Sequence, residues 1–503
     1  MNPVSFDKTK RLIMNLKFQI SVILLVTLCA GFFVSLKTEA SEVKSKRNQP
    51  NIVFILADDM GYGDLTCYNH ESKISTPNID QLAEAGIRFT NAHSPGAWCV
   101  PSRYGLITGR YPGRLPDLNT MQHSLIKPKQ ETLATLLKRH GYQTACIGKW
   151  HLGFDGVDWE NPAKILEMKN GPIEKGFDYF FGMHASLDIP PYFYVENGRA
   201  VQSPTKTIDD HASPNATSDV SGAFFRGGGI SPDFIHKEVL DQFQKKAFAF
   251  LDTHKKEHPK DPFFLYLPLT APHTPWLPKP EFVGESEAGE YGDFTMQVDN
   301  LVGQVLAYLK DKDLLENTIV FFSSDNGPVW FQEDIEKFDH ASVGVLRGMK
   351  GDMWEGGSRI PFIVSAPGRF SAGDVSDQTI CFTDMMATLA DIVGDESIHG
   401  ADFDSHSFLP ILNHPDSDQP TRDELVIERS SYRIGDWKFI DGSGQGGIAA
   451  RWAPNKKYIV SEKIPGELYN LKSDLPEQNN LYDKYPEKVK EMKQRLNEIL
   501  KSE

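Results

Sequence analysis

Five short, solidly apolar runs constrain this chain more than any other feature. They are "NIVFILA" (51–57), "TACIG" (144–148), "FFLYLPL" (263–269), "TIVFF" (318–322) and "IPFIVSA" (360–366). Runs of this length with no polar alternation read as strands buried on both faces. Amphipathic helical patterns lie between them. "TPNIDQLAEAG" offers Thr76 as N-cap, Pro77 at the first helical position and Gly86 as terminator. "ETLATLLKRHG" ends at Gly141 and "FTDMMATLADIVG" at Gly394, and two longer helices are expected in "IHKEVLDQFQKKAFAFLDTH" and "FTMQVDNLVGQVLAYLKD". Strands alternating with helices predict an α/β fold, a large, mostly parallel sheet sandwiched by helices.

After about residue 412 the pattern changes. "ELVIER", "YRIGDWKFI", "KKYIVS" and "GELYNL" are too closely spaced for crossover helices, and "YPEKVKEMKQRLNEIL" closes the chain as a helix. The expected organisation is a large domain over 49–412 and a small C-terminal α+β domain over 413–503, with a short antiparallel sheet and a terminal helix. Residues 184–232, rich in Pro, Gly, Ser and aromatics, read as a long surface insertion that shapes a binding site.

The first 40 residues read as an export signal. Lys8, Lys10, Arg11 and Lys17 precede the apolar run 18–36, and small residues allow cleavage after Ala40. The run is also long enough to anchor in a membrane if uncleaved. Cleavage predicts a periplasmic or secreted protein without stable membrane association. It removes five basic and two acidic residues, taking the formal net charge from −15 to −18. So acidic a chain is a poor partner for nucleic acid. Four cysteines then remain, Cys67, Cys99, Cys146 and Cys381, with no CxxC spacing. A zinc knuckle and a dithiol redox motif therefore lack support, and any disulfide pairing stays open.

Open parallel sheets bind ligands beyond the carboxyl ends of their strands. Asp58 and Asp59 follow the first run, and Asp325 and Asn326 follow the fourth. Three carboxylates and an amide oxygen suit Ca²⁺, or less well Mg²⁺, rather than zinc. A single "DD" is ordinarily a turn or cap; two such strand ends in one sheet favour a metal. Lys149 and His151 follow the second run, His273 follows the third, and Lys350 precedes the fifth. Each is a solvent-facing residue in the bland reading, and a candidate for anion binding and proton transfer in the sharper one. In "CVPSRYGLITGR" (99–110), Pro101 suits the first turn of a helix, so Cys99 sits where anions are favoured and a thiol pKa should fall. Arg103, one turn later, can pair with a carboxylate or grip a tetrahedral oxyanion. Cys99 can equally be a buried inert thiol. A thiolate beside a hard cation is a poor match, so the cluster calls for an oxygen at position 99.

These residues resemble those of the type I sulfatases, of the alkaline phosphatase superfamily. "CVPSR" resembles that family's first signature and "GYQTACIGKWHLG" (141–153) its second. The similarity runs on through "NIVFILADDMGYGD", "APHTPW", "SSDNG" and "KGDMWEGGSRIPFIVSAPG", over roughly residues 49–500. The resemblance implies that Cys99 is oxidised to formylglycine by a formylglycine-generating or maturase enzyme and acts, as a hydrated aldehyde, as the nucleophile. It implies that Asp58, Asp59, Asp325, Asn326 and residue 99 hold the metal, usually Ca²⁺. Arg103, Lys149, His273 and Lys350 would neutralise the sulfate, Asp325 would accept the attacking proton, His273 or Lys350 would protonate the leaving alcohol, and His151 would take the last proton.

The expected activity is sulfate ester hydrolysis on a sulfated glycan, with ulvan, fucoidan, carrageenan and animal glycosaminoglycans as candidates. His184, Asp188, Tyr192, His211, Arg226 and Trp330 are candidate pocket residues, though each can equally be loop packing. The rival readings are a phosphoester hydrolase of the same superfamily and a non-catalytic glycan-binding relative.

Overall fold

The computed structural model describes residues 49–214, 216–398, 403–446 and 464–502. The expected export signal and the "KKYIVS" strand lie outside the described residues. From Pro50 on, the described residues form one compact unit.

The apolar runs become strands. β1 is Asn51–Asp58, β2 Ile87–His93, β3 Gln143–Lys149, β4 Tyr179–Met183, β5 Phe263–Pro272, β6 Thr318–Ser324, β7 Arg359–Ser365 and β8 Asp374–Ser376. They belong to one eleven-stranded sheet in the order β8-β2-β7-β6-β1-β5-β3-β4, extended past β4 by the short strands Val195–Glu196 and Arg199–Ala200, with Ile380–Cys381 pairing β2 off this order. β1 pairs parallel with β6 and β5, and β3 parallel with β5 and β4. Every residue of β1, β5 and β6 is buried. Because strand side chains alternate between faces, Ile52, Phe54 and Leu56 enter one apolar core while Val53, Ile55 and Ala57 enter another.

Helices cover both cores. α1 is Pro77–Glu84, α2 Cys99–Thr108, α3 Leu133–Arg139, α4 Val239–Glu257, α5 Gly289–Asp311 and α6 Met385–Val393. Leu133, Leu136, Leu137, Met385 and Leu389 pack on the first core; Leu82, Phe243, Leu251, Val298 and Val305 pack on the second.

The fifth run departs from the parallel pattern. β7 runs antiparallel to both β6 and β2. An apolar run records burial but not direction. The reversal has a consequence: the residues before β7, rather than those after it, reach the edge of the sheet where the other strands end. Lys350 is therefore on the same edge as Asp58 and Asp325.

The C-terminal strands β9 (Glu424–Ile427), β10 (Ser431–Ile434), β11 (Trp437–Ile440) and β12 (Glu467–Asn470) form an antiparallel four-stranded sheet in chain order. "YRIGDWKFI" is a hairpin rather than one strand, turning at Gly435 with φ 52°. The terminal helix α7, Pro486–Lys501, buries Val489, Met492, Leu496 and Ile499 in a third core. That core also takes in Ala97, Tyr111, Met353 and Trp354, so the small sheet packs on the two segments that carry Cys99 and Lys350.

Candidate active site

Asp58 and Asp59 leave β1, and Asp325 and Asn326 leave the adjacent β6 in matching register. All four are essentially fully buried. Lys149 ends β3, and His273 follows β5. Cys99 is the first residue of α2, and Arg103 lies one turn further on. The parallel order of β6, β1, β5 and β3 thus carries four separate stretches of sequence to one point, and α2 brings a fifth.

The charged groups interlock. Lys149 Nζ is 2.6 Å from Asp58 Oδ2. Arg103 donates from Nε to Asp325 Oδ2 at 2.9 Å and from Nη1 to the Lys149 carbonyl at 2.8 Å. Its Nη2 is 2.8 Å from Asp325 and 3.6 Å from Asp58. Lys350 Nζ contacts both oxygens of Asp59, at 2.6 and 2.8 Å, and the Cys99 sulfur at 3.1 Å. Cys99 Sγ is 3.5 Å from Asp58 Oδ1, and His273 Nε2 is 3.6 Å from Asp59 Oδ2.

Electrostatics separates the two strand-end acids. Burial alone would raise the Asp58 pKa, but Lys149, His273 and Arg103 together hold it well below the ordinary carboxylate range. Burial and the neighbouring Asp58 charge push Asp325 up to about 6. Burial depresses the His151 imidazole, and Lys149 depresses it further, so the ring is neutral at neutral pH. Burial works against the Lys350 charge, but Asp59 more than offsets it. The thiol at position 99 goes the opposite way from the expectation for a helix N-terminus: burial pushes Cys99 up to about 12, in spite of Lys149 and Lys350.

The donor set fits a hard cation. Oxygen, sulfur and imidazole atoms of Asp58, Asp59, Cys99 and His273 lie within 4.8 Å of one another. Asn326 spends its amide N–H₂ on Asp59 Oδ1 at 2.7 Å and the Gly327 carbonyl at 2.8 Å. Its Oδ1 is left buried without a partner, and a bare acceptor among carboxylates is what a Ca²⁺ or Mg²⁺ ion satisfies. His273 enters the geometric cluster where the sequence placed Asp325. We favour oxygen ligands, because Asp325 already points Oδ1 at the Asp59 amide at 3.2 Å and a hard ion prefers carboxylate to imidazole.

Two backbone features hold the cage in shape. Asp59 and His151 both adopt left-handed conformations, with φ 64° and 55°. These cost roughly 1–3 kcal/mol each and persist only where the surroundings over-determine them. The surroundings of Asp59 escaped the sequence reading. Tyr291 of α5 donates its hydroxyl to the Asp59 carbonyl at 3.1 Å and also bonds Asp64, whose other oxygen is 2.9 Å from His340 Nε2. Asp64 was within view in "DDMGYGD", but Tyr291 and His340 carried no local signal. Gly327 lies against Gly356 and Gly357, donating to the Gly357 carbonyl at 2.9 Å. A Cβ at position 327 would meet the Gly356 carbonyl at 1.9 Å.

The expected pocket residues fare differently. Asp188 is buried, bonded to Arg226, with Oδ1 4.0 Å from His273 Nδ1. The Arg226 side chain is 43% exposed, so this pair lies beside the site with one face open. His184 is buried between Trp159 and Phe193, and its Nε2 pairs with the Pro191 carbonyl. Burial lowers its pKa to about 4. Its own carbonyl accepts from the His151 amide at 3.1 Å, so it supports His151 from behind. Tyr192 is fully buried and its hydroxyl is spent on the Arg226 carbonyl. Trp330 packs on Trp276 and Tyr291 and donates to the His340 carbonyl. Both side chains are packed among neighbours, with their polar atoms spent inside the fold. His211 is exposed and stacks on Phe225. The cysteines Cys67, Cys99, Cys146 and Cys381 are all free.

Comparison with known proteins identifies the family. The Sulfatase family model matches residues 50–395. The chain is 32% identical over 499 residues to the N-acetylgalactosamine-6-O-sulfatase of Bacteroides thetaiotaomicron, covering 90% of this chain and 93% of that protein. Among solved structures, a Bacteroides thetaiotaomicron protein described under the metabolism of multiple glycosaminoglycans superposes with TM-score 0.76 at 30% identity, covering 90% of this chain and 99% of that one. A sulfatase from Pseudoalteromonas sp. shares the fold with TM-score 0.69 at 24% identity, covering 93% and 95%. The chain belongs to the sulfatase family and is a sulfuric ester hydrolase on the alkaline phosphatase-like fold.

Proposed function

We propose that this sulfatase is exported and removes sulfate esters from a sulfated glycan, with a 6-O-sulfated N-acetylgalactosamine unit as the first candidate substrate. The observation that carries the substrate class is the extent of the likeness to the N-acetylgalactosamine-6-O-sulfatase. At 90% of this chain it continues beyond residue 395, where the family match stops. Formylglycine made from Cys99 by a maturase would supply a nucleophilic oxygen, and Ca²⁺ would supply fixed positive charge beside it.

The chain's own residues do the rest. Asp58, Asp59, Asp325 and Asn326 hold the cation. Arg103, Lys149 and Lys350, anchored on those carboxylates, line up positive charge for the three sulfate oxygens and need no reorganisation during reaction. His273 is oriented by the contact of Nδ1 with the Thr274 carbonyl at 2.6 Å, which leaves Nε2 to carry the proton for the departing sugar hydroxyl. His151 is neutral with a bare, buried Nδ1, and so is ready to take a proton at that atom. The phosphoester alternative calls for a two-metal site with several histidines. Among the described residues the one candidate metal cluster contains a single histidine.

The test is sulfate release, followed by ion chromatography, from matched oligosaccharides. The panel holds 6-O- and 4-O-sulfated N-acetylgalactosamine, carrageenan, fucoidan and ulvan fragments. Preferential release from the 6-O-sulfated amino sugar is expected. Release from the algal fragments alone would move the substrate class back to marine polysaccharides.

A further inference from the structure

Between β11 and β12 lies the stretch "GSGQG" (442–446), with glycine at every second position. No step of the reaction involves it. In the fold it lies against the turn that delivers Lys350. A Cβ on Gly446 would stand 1.4 Å from the Gly351 carbonyl oxygen, and one on Gly444 would meet the Trp354 indole nitrogen at 2.3 Å. Only glycine allows so close an approach.

The two segments are bonded as well as close. Gly446 donates its N–H to Asp352 Oδ1 at 2.6 Å, and the Gly444 carbonyl accepts from the Met353 N–H at 2.7 Å. Gly444 donates its own N–H to Glu467 Oε1 at 2.7 Å, and Glu467 Oε2 accepts from the Trp354 indole at 2.6 Å. Asp352 is buried, and its second oxygen accepts from the Met349 N–H at 3.0 Å, which closes the turn around Lys350. The same turn is tied to the cage. The Lys350 N–H donates to the Pro328 carbonyl at 2.8 Å, two residues after Asn326. The Gly351 N–H donates to the Ala97 carbonyl at 2.7 Å, two residues before Cys99. The turn is thus bonded to the cage segments through two of its amides, and to the glycine stretch through Asp352 and Met353.

We propose that the glycine stretch and Asp352 are the positioning residues of Lys350. Through them the C-terminal sheet holds the turn 349–353 so that the ammonium reaches Asp59 and residue 99. A lysine ammonium rides on a flexible four-carbon stem, so its root must be fixed if its charge is to be preorganised for the transition state. A displacement of about 1 Å can lower a rate roughly a hundredfold. A Cβ 1.4 Å from a backbone carbonyl oxygen cannot be accommodated unless the turn moves. The inference rests on the reading of Lys350 as a sulfate-binding charge given above.

The test combines Gly446→Ala and Asp352→Asn with Lys350→Ala. Leu251→Ala, a core truncation in α4, is the control for lost stability. The first reading is kcat/KM on the ester of the glycan panel that the wild type hydrolyses. Gly446→Ala should lower it about tenfold or more, and Asp352→Asn by less. In a Lys350→Ala background either change should lower it by less than about twofold further, because the positioned group is already gone. Equal losses in both backgrounds would make the stretch a structural support alone and overturn the proposal. Hydrogen exchange followed by mass spectrometry gives a second reading that needs no turnover. The amides of 347–354 should exchange about tenfold faster in Gly446→Ala and keep their wild-type protection in Leu251→Ala. Unchanged exchange in Gly446→Ala would also overturn the proposal, while leaving the role of Lys350 intact. If Gly446→Ala does not fold, Asp352→Asn decides by the same two readings, since it keeps the size of the side chain and removes one acceptor. A Lys350→Ala enzyme with wild-type kcat/KM would overturn the role given to Lys350 and the proposal with it.

Discussion

The cage around Cys99 and the junction beneath the C-terminal sheet are built from the same materials. At the junction, Lys438 of β11 lies 2.9 Å from Glu355 and 3.0 Å from Glu477, and Arg359 reaches Glu355 at 3.1 Å. Its acids are buried as deeply as those of the cage. Their pKa values are displaced too: burial opposes the Glu355 charge but Lys438 holds it low, while burial pushes Glu477 up to about 7. A search for buried, shifted acids would find both places equally. What separates them is what each cluster surrounds. The cage encloses the Cys99 thiol, the proposed precursor of the nucleophile, and a bare amide oxygen on the edge of the sheet where the parallel strands end. The junction joins β11 to the segment that follows Lys350, and holds no nucleophile.

The comparison can be broken most sharply by two substitutions. Cys99→Ala should lower kcat/KM by about 10³-fold or more, the loss of the reacting group itself, with Tm nearly unchanged. Lys438→Met should do the reverse. It strands two buried carboxylates, costing about 3–5 kcal/mol in urea unfolding, while the molecules still folded at low temperature keep far more activity than Cys99→Ala. A folded Lys438→Met enzyme as inactive as Cys99→Ala would place the junction in the catalytic machinery. Calcium sharpens the contrast next. At a hundredfold excess over Kd it should stabilise the wild type by about 2.7 kcal/mol, seen as a rise in Tm reversed by chelator. Asp59→Asn should lose that rise and Glu477→Gln should keep it.

The smallest effect is a pH slope. An unfolded glutamate titrates near about 4.3, and Glu477 in the fold near 7. The native state holds the extra proton between those values. The stability from this group is therefore full below the lower value and lost as pH rises through the upper one. Glu477→Gln should flatten the fall in Tm over that window. Glu355, held low, acts only below it.

Much of the cage was legible because its residues stand directly after unbroken apolar runs, where chain direction and sheet chemistry combine. Lys350 shows the limit. It precedes its run, and only the antiparallel direction of β7 explains why it arrives. The junction was invisible because Glu355, Lys438 and Glu477 come from separate segments with no periodic signal. The insertion was legible as a loop but not residue by residue. Tyr192 and Trp330 are aromatic residues with no strand or helix period around them, and the same composition serves a pocket wall or a packed core.

The central claim is that residue 99 works as an oxygen nucleophile within this cage, and the mass of the tryptic peptide carrying it tests that most directly. The protein should be taken from a modification-competent host in a preparation that is releasing sulfate. The account predicts an aldehyde at position 99 that a hydrazide captures. An intact thiol in protein that turns over at full rate would contradict it.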